Sequence, residues 1–128
     1  MTEALQLFRL NIEVGDVAAA RKFYGTLLGA EPRGQAGNRF YINAGPVALQ
    51  IVGVPSPHPA AKALYFNATN LDSVHERAAA LGSLSSDLVH GLKAGDISVK
   101  PWGERSFYAN DPWGNPLCFV EAGTEYAG

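Results

Sequence analysis

Apolar and polar residues alternate through "RLNIEV": Leu10, Ile12 and Val14 fall on one side, Arg9, Asn11 and Glu13 on the other. A period of two predicts a half-buried strand within Leu5–Val14. Asp16 then stands where a helix N-cap belongs. Val17, Ala20, Phe23, Tyr24, Leu27 and Leu28 follow at helical spacing, and Gly29 ends the run. Gly25, inside that helix, costs up to ~1 kcal/mol relative to Ala; close packing against a sheet is one reason to keep it. Period two returns in Asn38–Asn43, with Phe40 and Ile42 opposite Arg39 and Tyr41. It returns again in Val47–Val52, where Val47, Leu49 and Ile51 oppose Ala48, Gln50 and Val52. A short strand is expected near Ala30–Arg33. The Pro-rich "VPSPHPAAK" reads as a linker over residues 54–62.

The grammar then restarts. Ala63–Ala68 reads as a strand and Asn70 as an N-cap. Leu71, Val74, Ala78 and Leu81 form a helical stripe closed by Gly82. Ser83–Gly95 is irregular, with room for a helical turn. Ile97–Lys100, Arg105–Asn110 and Pro116–Glu121 read as strands, the last two joined by the turn "NDPWGN". The tail from Gly123 to Gly128 reads as loose.

The restart is a duplication. Val14-Gly15-Asp16 returns as Ala68-Thr69-Asn70, Phe40-Tyr41 as Phe107-Tyr108, and Leu49-Gln50-Ile51 as Leu117-Cys118-Phe119. Agreement of order at three landmarks favours a true repeat over chance likeness of two hairpins. The second copy carries an insertion between helix and hairpin. The expected fold is α+β: tandem βαβββ half-modules over 5–53 and 63–121, forming a curved mixed sheet around a cleft, with helices outside. Strand parity predicts the residues that line the cleft: Arg9, Asn11, Glu13, Arg39, Tyr41, Gln50, Tyr65, Asn67, Tyr108 and Cys118, with Trp102 at the rim. For any one of these, an open solvated face is the simpler reading. Three tyrosines on one face favour a pocket or a subunit contact.

Totals narrow the function. A chain of 128 residues suits one domain, and 47% apolar against 17% charged residues argues against disorder. A net charge of −2 without a Lys/Arg cluster favours neither nucleic acid nor an anionic membrane surface, and neither is expected as a partner. The N-terminus reads without a signal peptide, and no apolar stretch approaches the ~20 residues of a membrane helix. Cys118 is the single cysteine, so no intrachain disulfide forms and the cytoplasm is the default compartment. No Gly-rich phosphate loop, Ser/His/Asp set or Cys-x-x-Cys occurs.

"VGDVAAARKFYGTLLGAEP", "ATNLDSVHERAAALG" and "FYANDPWGNPLCFVE", in that order over nearly the whole chain, resemble the vicinal oxygen chelate superfamily of glyoxalases, bleomycin-resistance proteins and extradiol dioxygenases. The resemblance implies the paired-module fold and a homodimer. It also implies four metal-ligand positions, which land on Arg9, Gln50, Ala63 and Cys118. Arg9 is a permanent cation and Ala63 has no donor atom; Gln50 is a weak ligand and Cys118 a soft one nearly alone. The metal site of the family is therefore read as lost, and no cofactor is expected. His58 in the linker, His75 on a helix face expected to be exposed, and His90 in the insertion do not restore it.

Arg9 either holds a carboxylate, phosphate or enolate, or pairs with Glu13 or another acid. Glu13 serves as a general base if burial raises its pKa, or as a partner for Arg9 or Arg39. Gln50 and Asn67 would fix a ligand's carbonyl or hydroxyl, and Tyr41, Tyr65 and Tyr108 would stack or donate; otherwise they fill space. Cys118 reads as a small inert thiol. Three functions follow. The first is a metal-free protein binding a small organic ligand, anionic or aromatic. The second is a lyase, isomerase or dioxygenase using a degenerate metal site or Glu13 with Arg9, no catalytic residue being assigned. The third is a dimeric module whose faces a partner covers.

Overall fold

The structure is a computed structural model that describes residues 4–34, 37–89 and 91–126. His90 lies outside the described residues. Among them run ten strands and two helices. In chain order they are β1 (Arg9–Val14), α1 (Val17–Leu28), β2 (Arg33–Gly34), β3 (Arg39–Ala44), β4 (Val47–Gly53), β5 (Leu64–Ala68), α2 (Leu71–Ala80), β6 (Leu88–Val89), β7 (Leu92–Lys93), β8 (Ser98–Val99), β9 (Arg105–Asn110) and β10 (Pro116–Glu121). The chain forms two compact units, residues 1–58 and 59–128.

The first unit is a four-stranded sheet in the order β1-β4-β3-β2. β1 runs parallel to β4, and the other pairs are antiparallel. The parallel pair needs a crossover, and α1 supplies it. Asp16 caps α1 by accepting the Ala19 N–H at 3.0 Å. Gly29 ends the helix at φ 63°, a left-handed conformation that costs glycine nothing. Ala20, Phe23, Tyr24 and Leu27 lie buried on one stripe of α1, against β3 and β4. Ile12, Val14, Phe40, Ile42, Leu49 and Ile51 oppose them, each at most 3% exposed. Register places Leu10 beside Leu49, and Leu49 beside Ile42. The apolar parity of three strands therefore coincides, and one face is committed to the helix.

The second unit repeats this plan. Its sheet has the order β5-β10-β9-β8, with β5 parallel to β10. Asn70 caps α2 through the Ser73 N–H at 3.1 Å. Leu71, Val74 and Ala78 bury the stripe, and α2 packs on β9 and β10. Phe66, Phe119 and Phe107 stack in series across three strands, with centroids 5.3 and 5.2 Å apart. Arg105 ties the helix to the sheet, reaching Glu121 at 3.1 Å and Asp72 at 3.3 Å. The "DPWGN" turn is an internal hydrogen-bond knot. Asp111 Oδ1 accepts the backbone N–H groups of Trp113 and Asn115, and Asp111 Oδ2 accepts from Asn115 Nδ2 at 2.7 Å.

Several details differ from the sequence reading. Strand pairing begins at Arg9 instead of Leu5, and Leu5, Leu7 and Phe8 are exposed. The short strand falls on Arg33–Gly34, just past the expected 30–33. Gly25 answers to Pro32: a Cβ there would lie 3.3 Å from the proline ring, so the crowding comes from the loop after the helix and not from the sheet. Among the described residues of 83–95 there is no helix. They contain the β6–β7 hairpin and a bridge from Leu84 to Ala109. His75 is half-buried, not exposed: its Nε2 lies 2.8 Å from the Gly95 carbonyl and its ring meets Phe107 edge-on at 4.9 Å. The tail is tied as far as Tyr126. Thr124 Oγ1 donates to Glu121 O at 2.7 Å, and Tyr126 N–H donates to Glu104 Oε2 at 2.8 Å.

Candidate functional site

Each sheet has a second face that its helix does not cover, and the polar residues of the sequence pattern stand there. In the first unit, register lines up one rank across all four strands: Asn11 on β1, Gln50 on β4, Tyr41 on β3 and Arg33 on β2. The side chains are joined. Tyr41 O–H donates to Gln50 Oε1 at 2.6 Å, and Gln50 Nε2 donates to Asn11 Oδ1 at 3.0 Å. Gln50 is 7% exposed, so the two bonds hold a buried amide that would otherwise cost about 1–3 kcal/mol per unmet group.

The next rank is Arg9, Ala48 and Asn43. Across the small side chain of Ala48, the Arg9 guanidinium reaches the Tyr41 ring, 5.5 Å from its centroid; it also lies 5.1 Å from the Phe8 ring. From the opposite edge, the Arg33 guanidinium lies 5.5 Å from the same Tyr41 ring and donates to Asn43 Oδ1 at 2.8 Å. Among the described residues neither guanidinium has a carboxylate in ion-pair range. The expected pairing of Arg9 with Glu13 is thus not made. Glu13 Oε1 instead accepts the His58 backbone N–H at 2.8 Å and lies 3.7 Å from His58 Nδ1. Its side chain is 42% exposed, so the burial that would turn it into a general base is missing. Arg39, further along the face, donates to Asn38 Oδ1 at 3.3 Å.

The second unit builds a different surface from the same positions. Its central rank is Tyr65 on β5, Cys118 on β10 and Tyr108 on β9. The Tyr65 and Tyr108 hydroxyls are 3.4 Å apart. Cys118 is 1% exposed, and burial pushes its thiol up to about 11, against the pull of the Tyr108 hydroxyl and the Lys100 charge. Burial likewise raises Tyr108, with its bond to Tyr65 adding to the effect. Tyr108 and Cys118 are neutral at pH 7, and Cys118 is held as a thiol, a poor nucleophile. Asn67 does not present its amide to a ligand, because Nδ2 donates to Glu125 Oε2 at 3.0 Å. The exposed Trp102 donates from Nε1 to Glu104 Oε1 at 2.7 Å.

Two cations escaped the sequence reading. Lys100 is 5% exposed. Its Nζ donates to Ser98 Oγ at 2.8 Å, Ser106 O at 2.9 Å and Ser98 O at 3.3 Å, and lies 5.8 Å from the Tyr108 ring. Burial lowers its pKa, while Cys118 and Glu104 work against that shift. The signal was its parity with Ser98, which puts both on the face of Ser106. Arg33 lay at the end of a strand assigned too early. Its register with Tyr41 was legible only once β2 was placed.

The four positions that the family resemblance offers for a metal do not fit one. Arg9 is a cation, and Ala63 carries no donor. The amide of Gln50 is spent on Tyr41 and Asn11, and Cys118 resists losing its proton. Among the described residues no three His, Cys, Asp or Glu side chains group closely enough to hold an ion. Among the described residues no helix is long and apolar enough to cross a membrane.

Solved structures share this architecture. One titled Oxidase ChaP-H1 is 23% identical, covers 98% of this chain and 100% of its own, and has a TM-score of 0.78. A lactoylglutathione lyase from Agrobacterium tumefaciens is 21% identical over 94% of this chain and 96% of its own, with a TM-score of 0.66. A glyoxalase-related enzyme from Fulvimarina pelagi is 20% identical over 92% and 88%, with a TM-score of 0.70. At these identities the likeness shows the fold alone. No match is found among curated proteins. The sequence matches a family over residues 6–119, nearly its whole length, and by that match the chain belongs to the Glyoxalase/Bleomycin resistance protein/Dioxygenase superfamily.

Proposed function

We propose that the protein binds a small organic anion on the polar face of its first sheet, without a metal ion. The observation that carries this reading is the direction of the hydrogen bonds. The side-chain oxygens of Asn11, Gln50 and Asn43 are each engaged by a neighbour on the same face. What remains for a ligand is chiefly N–H: the Arg9 guanidinium, the unused N–H groups of Arg33, and the amide nitrogens of Asn11 and Asn43. A face of donors with two guanidiniums that meet no carboxylate among the described residues favours carboxylates, phosphates and enolates over cations or neutral donors. Tyr41, held by Gln50, is the platform on which the cations rest.

Arg9 is the principal anion contact in this reading, with Asn11 and Tyr41 beside it. In the second unit, Tyr65 and Tyr108 stand in register on either side of Cys118, which is an inert filler between them. The reading takes the protein to be a cytoplasmic homodimer: the family resemblance implies the dimer, and the cytoplasm is the default compartment that the single cysteine leaves open. A catalytic alternative built on Glu13 draws no support from a half-exposed carboxylate already bonded to His58.

A thermal-shift series with organic anions tests the reading. A saturable rise in Tm for the wild type that Arg9→Gln abolishes supports it. No rise with any anion, together with a Tm that depends on protein concentration, favours the reading in which a partner covers the face.

A further inference from the structure

We infer that the ligand of this face carries two negative charges on a compact head, as a phosphate monoester or a vicinal dicarboxylate does. The inference rests on the anion-binding reading above and deepens it. Arg9 and Arg33 come from opposite edges of the first sheet, β1 and β2, with β4 and β3 between them. Yet both guanidiniums stop at 5.5 Å from one ring, that of Tyr41, so they are no further apart than twice that distance. Like charges drawn together on an exposed surface repel unless something balances them. At Arg105 a carboxylate does so: Glu121 lies at 3.1 Å and Asp72 at 3.3 Å. Around Tyr41 none does, among the described residues.

The geometry holds the two cations in place before any ligand arrives. Arg33 is fixed by Asn43 at 2.8 Å and stacks on Tyr41, whose hydroxyl is fixed by Gln50 at 2.6 Å. The Arg9 guanidinium is within 5.1 Å of the Phe8 ring centroid and 5.5 Å of that of Tyr41. Each guanidinium has five N–H donors, and one bond to Asn43 leaves most of the Arg33 set unused. A single carboxylate would answer one guanidinium and leave the other uncompensated. A dianion answers both.

Phenyl phosphate and phenyl sulfate have nearly the same shape, but at pH 8 the first carries two charges and the second one. Phthalate and benzoate make the same comparison for carboxylates. Titration calorimetry of all four at low salt is the test, on wild type, Arg33→Gln, Arg33→Lys and Arg9→Gln. The inference expects at least one dianion to bind about 5- to 20-fold more tightly than its monoanion. Arg33→Gln should weaken dianion binding several-fold more than monoanion binding and so erase the preference, and Arg33→Lys should restore part of it. Preference for the phosphate or for the dicarboxylate names the head group. Equal binding of dianions and monoanions, lost only in Arg9→Gln, would overturn the inference and leave the anion-binding function standing. No binding of any of the four overturns both.

Discussion

Replacing Gln50 by Glu changes one atom and reverses the character of the face. The carboxylate still accepts the Tyr41 O–H, now as a charge-assisted bond. Toward Asn11 it places an oxygen against Oδ1, where Gln50 Nε2 donated at 3.0 Å. Asn11 must then turn its amide over, sending Nδ2 inward and an accepting oxygen outward. The new charge sits one strand from Tyr41, so an anion held between Arg9 and Arg33 would be on the order of 7 Å from it. At that distance repulsion is roughly 0.6 kcal/mol with water's dielectric and about 2.4 kcal/mol at an effective value near 20. Affinity should fall about 3- to 50-fold per ligand charge. Folding should suffer less, because desolvation of a site only 7% exposed is offset by Tyr41 and by the nearby guanidiniums; the loss should stay within about 2 kcal/mol. Urea unfolding measures the stability, and phenyl phosphate calorimetry at pH 8 measures the affinity. If the Gln50→Glu protein remains folded and binds the anion as tightly as wild type, the donor-face reasoning is refuted.

Other consequences of the structure are open to direct measurement. Cys118 holds its proton to about 11 in the folded chain against an ordinary 9.0, so the folded state binds more protons between those values and loses stability as pH rises through them. At pH 10 this contribution is about 1.4 kcal/mol. Urea unfolding at pH 8 and pH 10 should show it in wild type and not in Cys118→Ala. Lys100, whose pKa is lowered, opposes the trend, and does so more strongly in Cys118→Ala, where the Cys118 charge that holds its pKa up is gone. Asn115 is fully buried and bonds Asp111 Oδ2 and the Ala60 N–H, so Asn115→Ala should cost about 2–4 kcal/mol in the same assay; a loss under 1 kcal/mol would contradict that. A Cβ on Gly95 would lie 2.5 Å from the Ser85 carbonyl oxygen, which is backbone and cannot swing away. Gly95→Ala should therefore destabilise by roughly 1–3 kcal/mol, and a neutral substitution would show that residues 83–95 yield.

Much of the fold was legible because alternation and capping are local. β1, β3 and β4 were readable from period two, β9 and β10 as runs on either side of the NDPWGN turn, and Asp16 and Asn70 from their position before an apolar stripe. The repeat was readable because both halves meet the same demand, a parallel pair bridged by a helix. Two-residue strands offer no periodicity. β2 was therefore displaced, and with it Arg33, the second cation at Tyr41. The β6–β7 hairpin was missed for the same reason. Lys100 was overlooked because a lysine in a strand is ordinarily solvated, and only the tertiary placement of Ser98 and Ser106 shows three oxygens waiting for its ammonium. Asn67 and Glu13 were assigned to the right face, but their true partners, Glu125 and His58, lie far along the chain.

The central claim is that Arg9 and Arg33, with no metal, receive an organic anion over Tyr41. Side-chain Nε–Hε resonances of the arginines in metal-stripped, ¹⁵N-labelled protein report on it directly during a phenyl phosphate titration. The account predicts saturable shifts for Arg9 and Arg33, with Arg21 and Arg105 unmoved. Shifts confined to other arginines, or binding that appears only after a divalent ion is added, would contradict it.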